Sequence, residues 1–227
     1  LVIDRTVIFD RLNIWRDPFP RSGPENMAVD DWLLARESKP LLRVYDWEGE
    51  WVSLGYFATM QDAQCMARAG EAQAVRRSTG GGIVDHRIDR TYSLVVPRPH
   101  EMARMRGAES YRVIHAALAS ALQLLGAEAR LLGDDVESDS AACFEKPVAW
   151  DIVDGAGAKL AGAGQRRTRH GLLHQGSVVV TGSRRGLFSA LADRLAGEVK
   201  TIRREPSEED LAALREKFES QSWLERR

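Results

Sequence analysis

The run RRSTGGGIVDH, from Arg76 to His86, sets the strongest limit on what this chain can fold into. Glycine loses more freedom on folding than any other residue, so a triplet is kept where main chain turns tightly or lies against something large. Strand-like segments flank it: AVRRS enters, and TYSLVVP (91–97) leaves. No helix follows the glycines, so the run is neither a Walker loop nor a dinucleotide fingerprint. On its own it reads as a glycine-rich hairpin. The sharper reading is a loop whose main-chain N–H groups approach a ligand carbonyl, a phosphate or an acyl chain.

The rest of the chain mixes strands with helices. SGPE at 22–25 carries the signature of a capped helix start, and Val29, Trp32 and Leu33 follow at helical spacing. LLRVYDW (41–47) and WVSLGYF (51–57) read as strands, with a short turn at Glu48 and Gly49 between them. Tyr111, Ile114, Leu118, Leu122 and Leu125 share one face of a helix over 109–125 that Gly126 stops. AWDIV (149–153) and AKLAGA (158–163) flank the hairpin turn DGAG, and LLHQGSVVV (172–180) is a third strand in that series. A helix near 185–196 and a last one capped by Ser207 complete the set. The segment 133–142, GDDVESDSAA, reads as an acidic loop. Hairpins among helices predict an α+β (mixed α/β) fold: a mixed, mostly antiparallel sheet flanked by helices, with no regular βαβ winding.

The 227 residues suit one large domain, 1–227, ending in a helical tail over 201–227. With 32 basic against 33 acidic residues, no bulk charge argues for nucleic acid. There is no apolar run long enough for a bilayer, and the first residues are too charged for a signal peptide, so a cytoplasmic location is expected. Two cysteines, Cys65 and Cys143, then read as free thiols.

Several side chains could do chemistry. Arg76 and Arg77 could bind an anion with bidentate geometry. His86 reads more readily as a packed or surface histidine. His174 sits with Gln175 in the middle of an apolar strand, where both need partners. Lys159 heads the small-residue strand KLAGAG, whose poor packing makes sense if something else lies along it. Cys143 reads either as a small apolar residue or as a nucleophile whose thiolate a nearby lysine would favour. Cys65, in the helix-like QDAQCMARAG, reads as structural.

Together these segments resemble one family. RRSTGGGIVDHRIDRTYSL is similar to the signature loop of the lipoate–protein ligase and octanoyltransferase superfamily. AKLAGAGQRR followed by LLHQGSVVV resembles its second block, which carries a lysine, here Lys159. ENMAVDDWLL and WVSLGYF resemble its opening helix and strand pair. The resemblance runs from about residue 10 to 200 and implies a sheet-and-helix fold shared with biotin–protein ligases, whose own glycine block is absent here. It leaves two activities. Ligases activate lipoate with ATP and Mg²⁺. Transferases move octanoate from acyl carrier protein through a cysteine thioester, with no nucleotide and no metal. CFEKP resembles the CFxxP segment of the cysteine-dependent octanoyltransferases, with Cys143 in the nucleophile's place; their usual P-S-x-Y-E is here Pro147, Val148, Ala149, Trp150, Asp151.

The transferase reading implies Cys143 and Lys159 as catalytic residues. It puts Arg76, Arg77, Ser78, Thr79, Gly80, Gly81, Gly82, Ile83, Val84 and His86 from the first block, and Ala161, Gly162, Ala163, His174 and Gly176 from the second, around an acyl tunnel. Lys159, or less readily His174, would take a proton from the attacking amine. Acyl carrier protein would be the donor, and glycine-cleavage H protein or a dehydrogenase E2 domain the acceptor, with neither nucleic acid nor membrane involved. A ligase working with a separate accessory subunit, and a non-catalytic acyl-binding relative, are the alternatives.

Overall fold

A computed structural model describes residues 7–61, 72–133, 148–179 and 186–226. FDRLNIWR buries Phe9, Leu12, Ile14 and Trp15 and forms β1 (Phe9–Arg16). Ser22 caps α1 (Gly23–Arg36) by accepting from the Glu25 N–H, and the Glu25 carboxylate accepts in return from the Ser22 N–H. β2 (Leu41–Tyr45), β3 (Trp51–Leu54), β4 (Gln73–Arg76), β5 (Ile83–Asp85) and β6 (Arg90–Pro97) follow. Beyond a 3-10 turn at Glu101–Arg104 come α2 (Gly107–Leu124), β7 (Arg130–Leu131), β8 (Ile152–Val153), β9 (Lys159–Arg167) and β10 (Gly171–Val178). α3 (Leu187–Leu195), β11 (Ala196–Thr201), α4 (Glu208–Glu219) and α5 (Gln221–Leu224) complete the described chain.

Eight strands form one sheet in the order β11-β1-β2-β6-β10-β9-β8-β7. β1 runs parallel to β2 and β11, and the other junctions are antiparallel. The hairpin predicted at DGAG is there: Asp154 accepts through its side chain from the N–H groups of Ala156 and Ala158, and Gly157 takes a left-handed φ of 87°. A second sheet, β4-β3-β5, is small.

β10 is buried on both faces: all eight of its residues, the polar His174, Gln175 and Ser177 included, are buried. On one face Leu94, Val96, Leu172 and Val178 pack with the apolar sides of α2 and α3. On the other, Leu41, Val95 and Leu173 pack with α1, α4 and Trp51 of the small sheet. The alternation of β10 therefore sends neighbouring side chains into different halves of the molecule. No helix among the described residues is long and apolar enough to cross a membrane.

Two expectations change. The segments 41–47 and 51–57 do not pair with each other; β2 joins the large sheet and β3 the small one, and Gly49, at φ 83°, turns the chain between them. The segments 9–16 and 196–201, unassigned by pattern, are the parallel edge β1–β11, whose charged outer residues mask the period-two signal. Most of the acidic loop, residues 134–142, lies outside the described residues.

A candidate active site between the glycine loop and the β9–β10 strands

The glycine loop is held from both sides. The Arg77 N–H donates to Leu54 O at 2.8 Å, Gly55 N to Gly82 O at 2.9 Å, and Tyr56 N to Thr79 O at 2.8 Å. Gly80 N donates to Gln165 O on β9 at 3.3 Å. Ser78 Oγ donates to Asp31 of α1, and Thr79 Oγ1 to Gln175 Oε1 of β10. Gly81 is left-handed, at φ 91°. A side chain on Gly55 would collide with Gly81 O, its Cβ falling 1.8 Å away, so Gly55 must be glycine for the loop to fold back.

Arg77 lies under this loop. Its guanidinium donates to Ser53 O, Ser53 Oγ, Gly80 O and Gly82 O. Burial lowers its pKa to about 10, so it stays charged at neutral pH. Because Ser53 Oγ accepts from Arg77, its own proton points to His86 Nε2, 2.6 Å away, and His86 Nδ1–H donates to Asp89 Oδ2 at 2.9 Å. The order Asp89, His86, Ser53 has the sense of a nucleophilic triad. Here it is structural: Ser53 has no exposed surface and its oxygen is already held by the arginine. The His86 ring stacks on Trp47 with centroids 3.9 Å apart, and Trp47 Nε1 donates to Thr91 Oγ1.

A slot runs between this loop and one face of β9 and β10. Its walls are Arg77, Gly81, Gly82, Val84 and His86 on one side, Lys159, Gly162, Ala163, Gly164, Gln175, Gly176 and Ser177 on the other, with Tyr45, Trp47, Ser53 and Thr91 closing it. It encloses about 450 Å³ including its open mouth. Lys159 stands in it with Nζ 2.8 Å from Asp151 Oδ2.

The structure gathers Arg77, Gly81, Gly82, Val84, His86, Lys159, Gly162, Ala163 and Gly176 around this slot. Ser78, Thr79 and Gly80 hold the loop from behind. Four expected residues lie elsewhere. Arg76 spends its guanidinium on the carbonyls of Gly55, Tyr56, Ala58 and Leu224, so it clamps main chain and does not face the slot. Ile83 packs with Val52 and Leu54, and Ala161 belongs to the main core. His174 faces the α2 side of the sheet, bonded to Tyr92 Oη and Gln165 Nε2, and burial depresses its pKa well below the usual range. It is a neutral core residue and cannot reach an amine in the slot. Cys143 and Cys65 lie outside the described residues.

The small residues also serve a different purpose from the one expected. A Cβ on Gly162 would fall 2.6 Å from Lys159 Cε, one on Gly164 2.3 Å from Gly80 O, and one on Gly176 2.3 Å from the Tyr92 ring. These glycines make room for the protein's own atoms. Gly82, with nothing within 4 Å, opens onto free space. Pattern reading misses Tyr45, Trp47, Ser53, Thr91 and Ser177, which read as ordinary packing in or near strands, and takes Gln175 only as a buried group in need of partners. Among the described residues no group of three or more His, Cys, Asp or Glu side chains is placed to hold a metal ion.

The family model of the lipoyl protein ligase A/B catalytic domain matches residues 22–221. The chain belongs to that family. The octanoyltransferase LipM of Symbiobacterium thermophilum is 35% identical over 181 residues, 73% of this chain and 65% of that protein. Octanoyltransferase LipM of Carboxydothermus hydrogenoformans is 34% identical over 201 residues, 85% of this chain and 74% of that protein. The chain thus spans about two thirds to three quarters of the length of these relatives. Among solved structures, a T. acidophilum protein assigned as a lipoate protein ligase, with bound lipoic acid, superposes with a TM-score of 0.72 at 20% identity, covering 95% of this chain and 98% of that one. That likeness establishes the mixed sheet flanked by helices as a lipoate-ligase fold.

Proposed function

We propose that this chain moves an octanoyl group from the thioester of acyl carrier protein to the lysine of a lipoyl domain, through a thioester on Cys143 and without a nucleotide. The observation that carries the reading is the Lys159 ammonium standing in a narrow slot between the glycine loop and β9, in a chain about 35% identical to named octanoyltransferases. The positive charge favours the thiolate form of a cysteine brought beside it.

In the first half-reaction the Cys143 sulfur attacks the donor carbonyl. A new C–S bond forms, the old one breaks, and the proton of Cys143 ends on the departing carrier thiol. In the second, the neutral amine of the acceptor attacks; the C–N bond forms, the C–S bond breaks, and the proton shed by nitrogen returns to the sulfur. One thioester replaces another, so the first step is nearly balanced in energy. The slot beside Gly82 holds the alkyl chain. Burying its methylenes at about 0.8 kcal/mol each supplies up to roughly 5 kcal/mol before the ordering cost is subtracted. The acceptor is a lipoyl domain, as in glycine-cleavage H protein or a dehydrogenase E2.

The test compares donors. Purified protein with octanoyl-acyl carrier protein and an apo lipoyl domain should yield octanoyl-lysine without ATP. If acylation instead requires free lipoate, ATP and Mg²⁺, the chain is a ligase. Tight acyl binding with no turnover of either donor makes it a binding protein.

A further inference from the structure

Asp151 carries no exposed surface, yet it is a carboxylate. Burying one is expensive unless its oxygens are filled by donors. Here they are. Tyr111 Oη donates to Oδ1 at 2.5 Å, the Val148 N–H donates to Oδ2 at 2.9 Å, and Lys159 Nζ lies 2.8 Å from Oδ2. Tyr111 is fixed in turn: its oxygen accepts from the Ala163 N–H at 2.9 Å. Burial first, then the Asp151 charge, raises the Tyr111 pKa well above the ordinary value, so it remains a donor.

The turn that delivers Asp151 is strained. Trp150 has φ 69°, the one non-glycine residue with positive φ among the described residues. A bulky side chain there costs on the order of 1–3 kcal/mol. Four bonds hold it: His115 Nδ1–H to Trp150 O at 2.7 Å, Trp150 N to Leu132 O, Leu132 N to Asp151 O, and Asp151 N to Val148 O. The Lys159 side chain lies back across Gly162, its Nζ 2.8 Å from where a Cβ would stand. A lysine beginning a strand after a hairpin turn needs none of this to be soluble.

We infer that Asp151 and Tyr111 are positioning residues for Lys159, holding its ammonium in one orientation in the slot. The inference deepens the proposed function and rests on it for the identity of the substrate. Asp151 and Tyr111 face Lys159 with His115, which burial keeps neutral, behind them, and Arg77, His86 and Tyr45 line the same slot.

Two measurements test this. The first needs no acyl donor: competitive acetic-anhydride labelling across pH, with the Lys159 peptide read by mass spectrometry in wild type, Tyr111→Phe and Asp151→Asn. Removing the carboxylate that pins its Nζ should raise Lys159 labelling at pH 8 several-fold in Asp151→Asn, and by less in Tyr111→Phe. The second is octanoyl transfer: kcat should fall in both variants with KM for the lipoyl domain little changed, and Asp151→Glu should recover part of it. Tyr111→Phe keeps the shape of the side chain, so it reports even where Asp151→Asn fails to fold. Labelling unchanged in the folded variants overturns the inference, whatever the transfer rates. Labelling that moves as expected in a protein that transfers no octanoate upholds the pairing and removes the proposed substrate.

Discussion

Arg76 and Arg77 are neighbours in the chain whose guanidinium groups serve different parts of the fold. Arg77 fills the space under the glycine loop and faces the slot. Arg76 ties the turn after β3 to Leu224 O of α5, and Trp223 of α5 answers by donating Nε1–H to Arg76 O at 3.0 Å. Substitution should separate the two roles. Arg76→Ala strands four carbonyls and is expected to cost about 2–4 kcal/mol in urea unfolding, with KM for the acyl donor nearly unchanged in the folded enzyme. Arg77→Ala should cost stability and also raise that KM.

The glycines divide in the same way. A Cβ on Gly176 meets the Tyr92 ring, so Gly176→Ala should cost roughly 1–3 kcal/mol by overpacking. Gly82 has open space and an ordinary φ, so Gly82→Ala should leave stability within about 0.5 kcal/mol. It should instead raise KM for the octanoyl donor. Equal thermal stability for both variants, with equal KM, would mean that the space beside Gly82 is not the acyl slot.

Asp30 is the charged centre of the α1–sheet interface. Its Oδ1 accepts from Arg43 Nη1 at 2.8 Å and Ser93 Oγ at 2.7 Å, and its Oδ2 from Gln175 Nε2 at 2.7 Å. Arg43 and Asp30 are both fully buried. Asp30→Ala leaves a buried arginine with one fewer carboxylate and is expected to cost about 3–5 kcal/mol. Gln175, freed from Asp30, should also loosen its hold on Thr79, so hydrogen exchange should rise in the glycine loop as well as in α1.

Acid should weaken the fold through His115 and His174. Burial lowers the His115 pKa to about 4, and it lowers that of His174 too. Below pH 6.5 the unfolded chain takes up a proton that native His115 refuses until near pH 4, so stability is full above 6.5 and falls as pH drops through that window. His115 alone contributes on the order of 3 kcal/mol to the loss. His115→Asn, whose amide can still donate to Trp150 O, should flatten the acid limb of a plot of melting temperature against pH.

Much of this was legible in the sequence, for physical reasons that differ by element. The Ser22 and Ser207 caps announce α1 and α4 because capping uses residues three apart in the chain. The hairpin at Asp154–Gly157 is local in the same sense. The edge β1–β11 is not local: it pairs residues nearly 190 positions apart, and its exposed charges break the alternation. At the site, Lys159 and the glycine loop stand out through composition. Asp151 and Tyr111 do not, because an aspartate before a strand and a tyrosine on an apolar helix face have ordinary structural explanations until their 2.5 Å contact is seen. His174 misleads for the opposite reason: a polar residue in an apolar strand signals a need for partners, and Tyr92 and Gln165 meet that need inside the core.

The central claim is covalent, and the most direct measurement is mass spectrometry of the intact chain after brief mixing with octanoyl-acyl carrier protein, followed by peptide mapping. The account predicts one octanoyl group on Cys143, removed by hydroxylamine and discharged when a lipoyl domain is added. Octanoyl transfer at an undiminished rate by Cys143→Ala would contradict it.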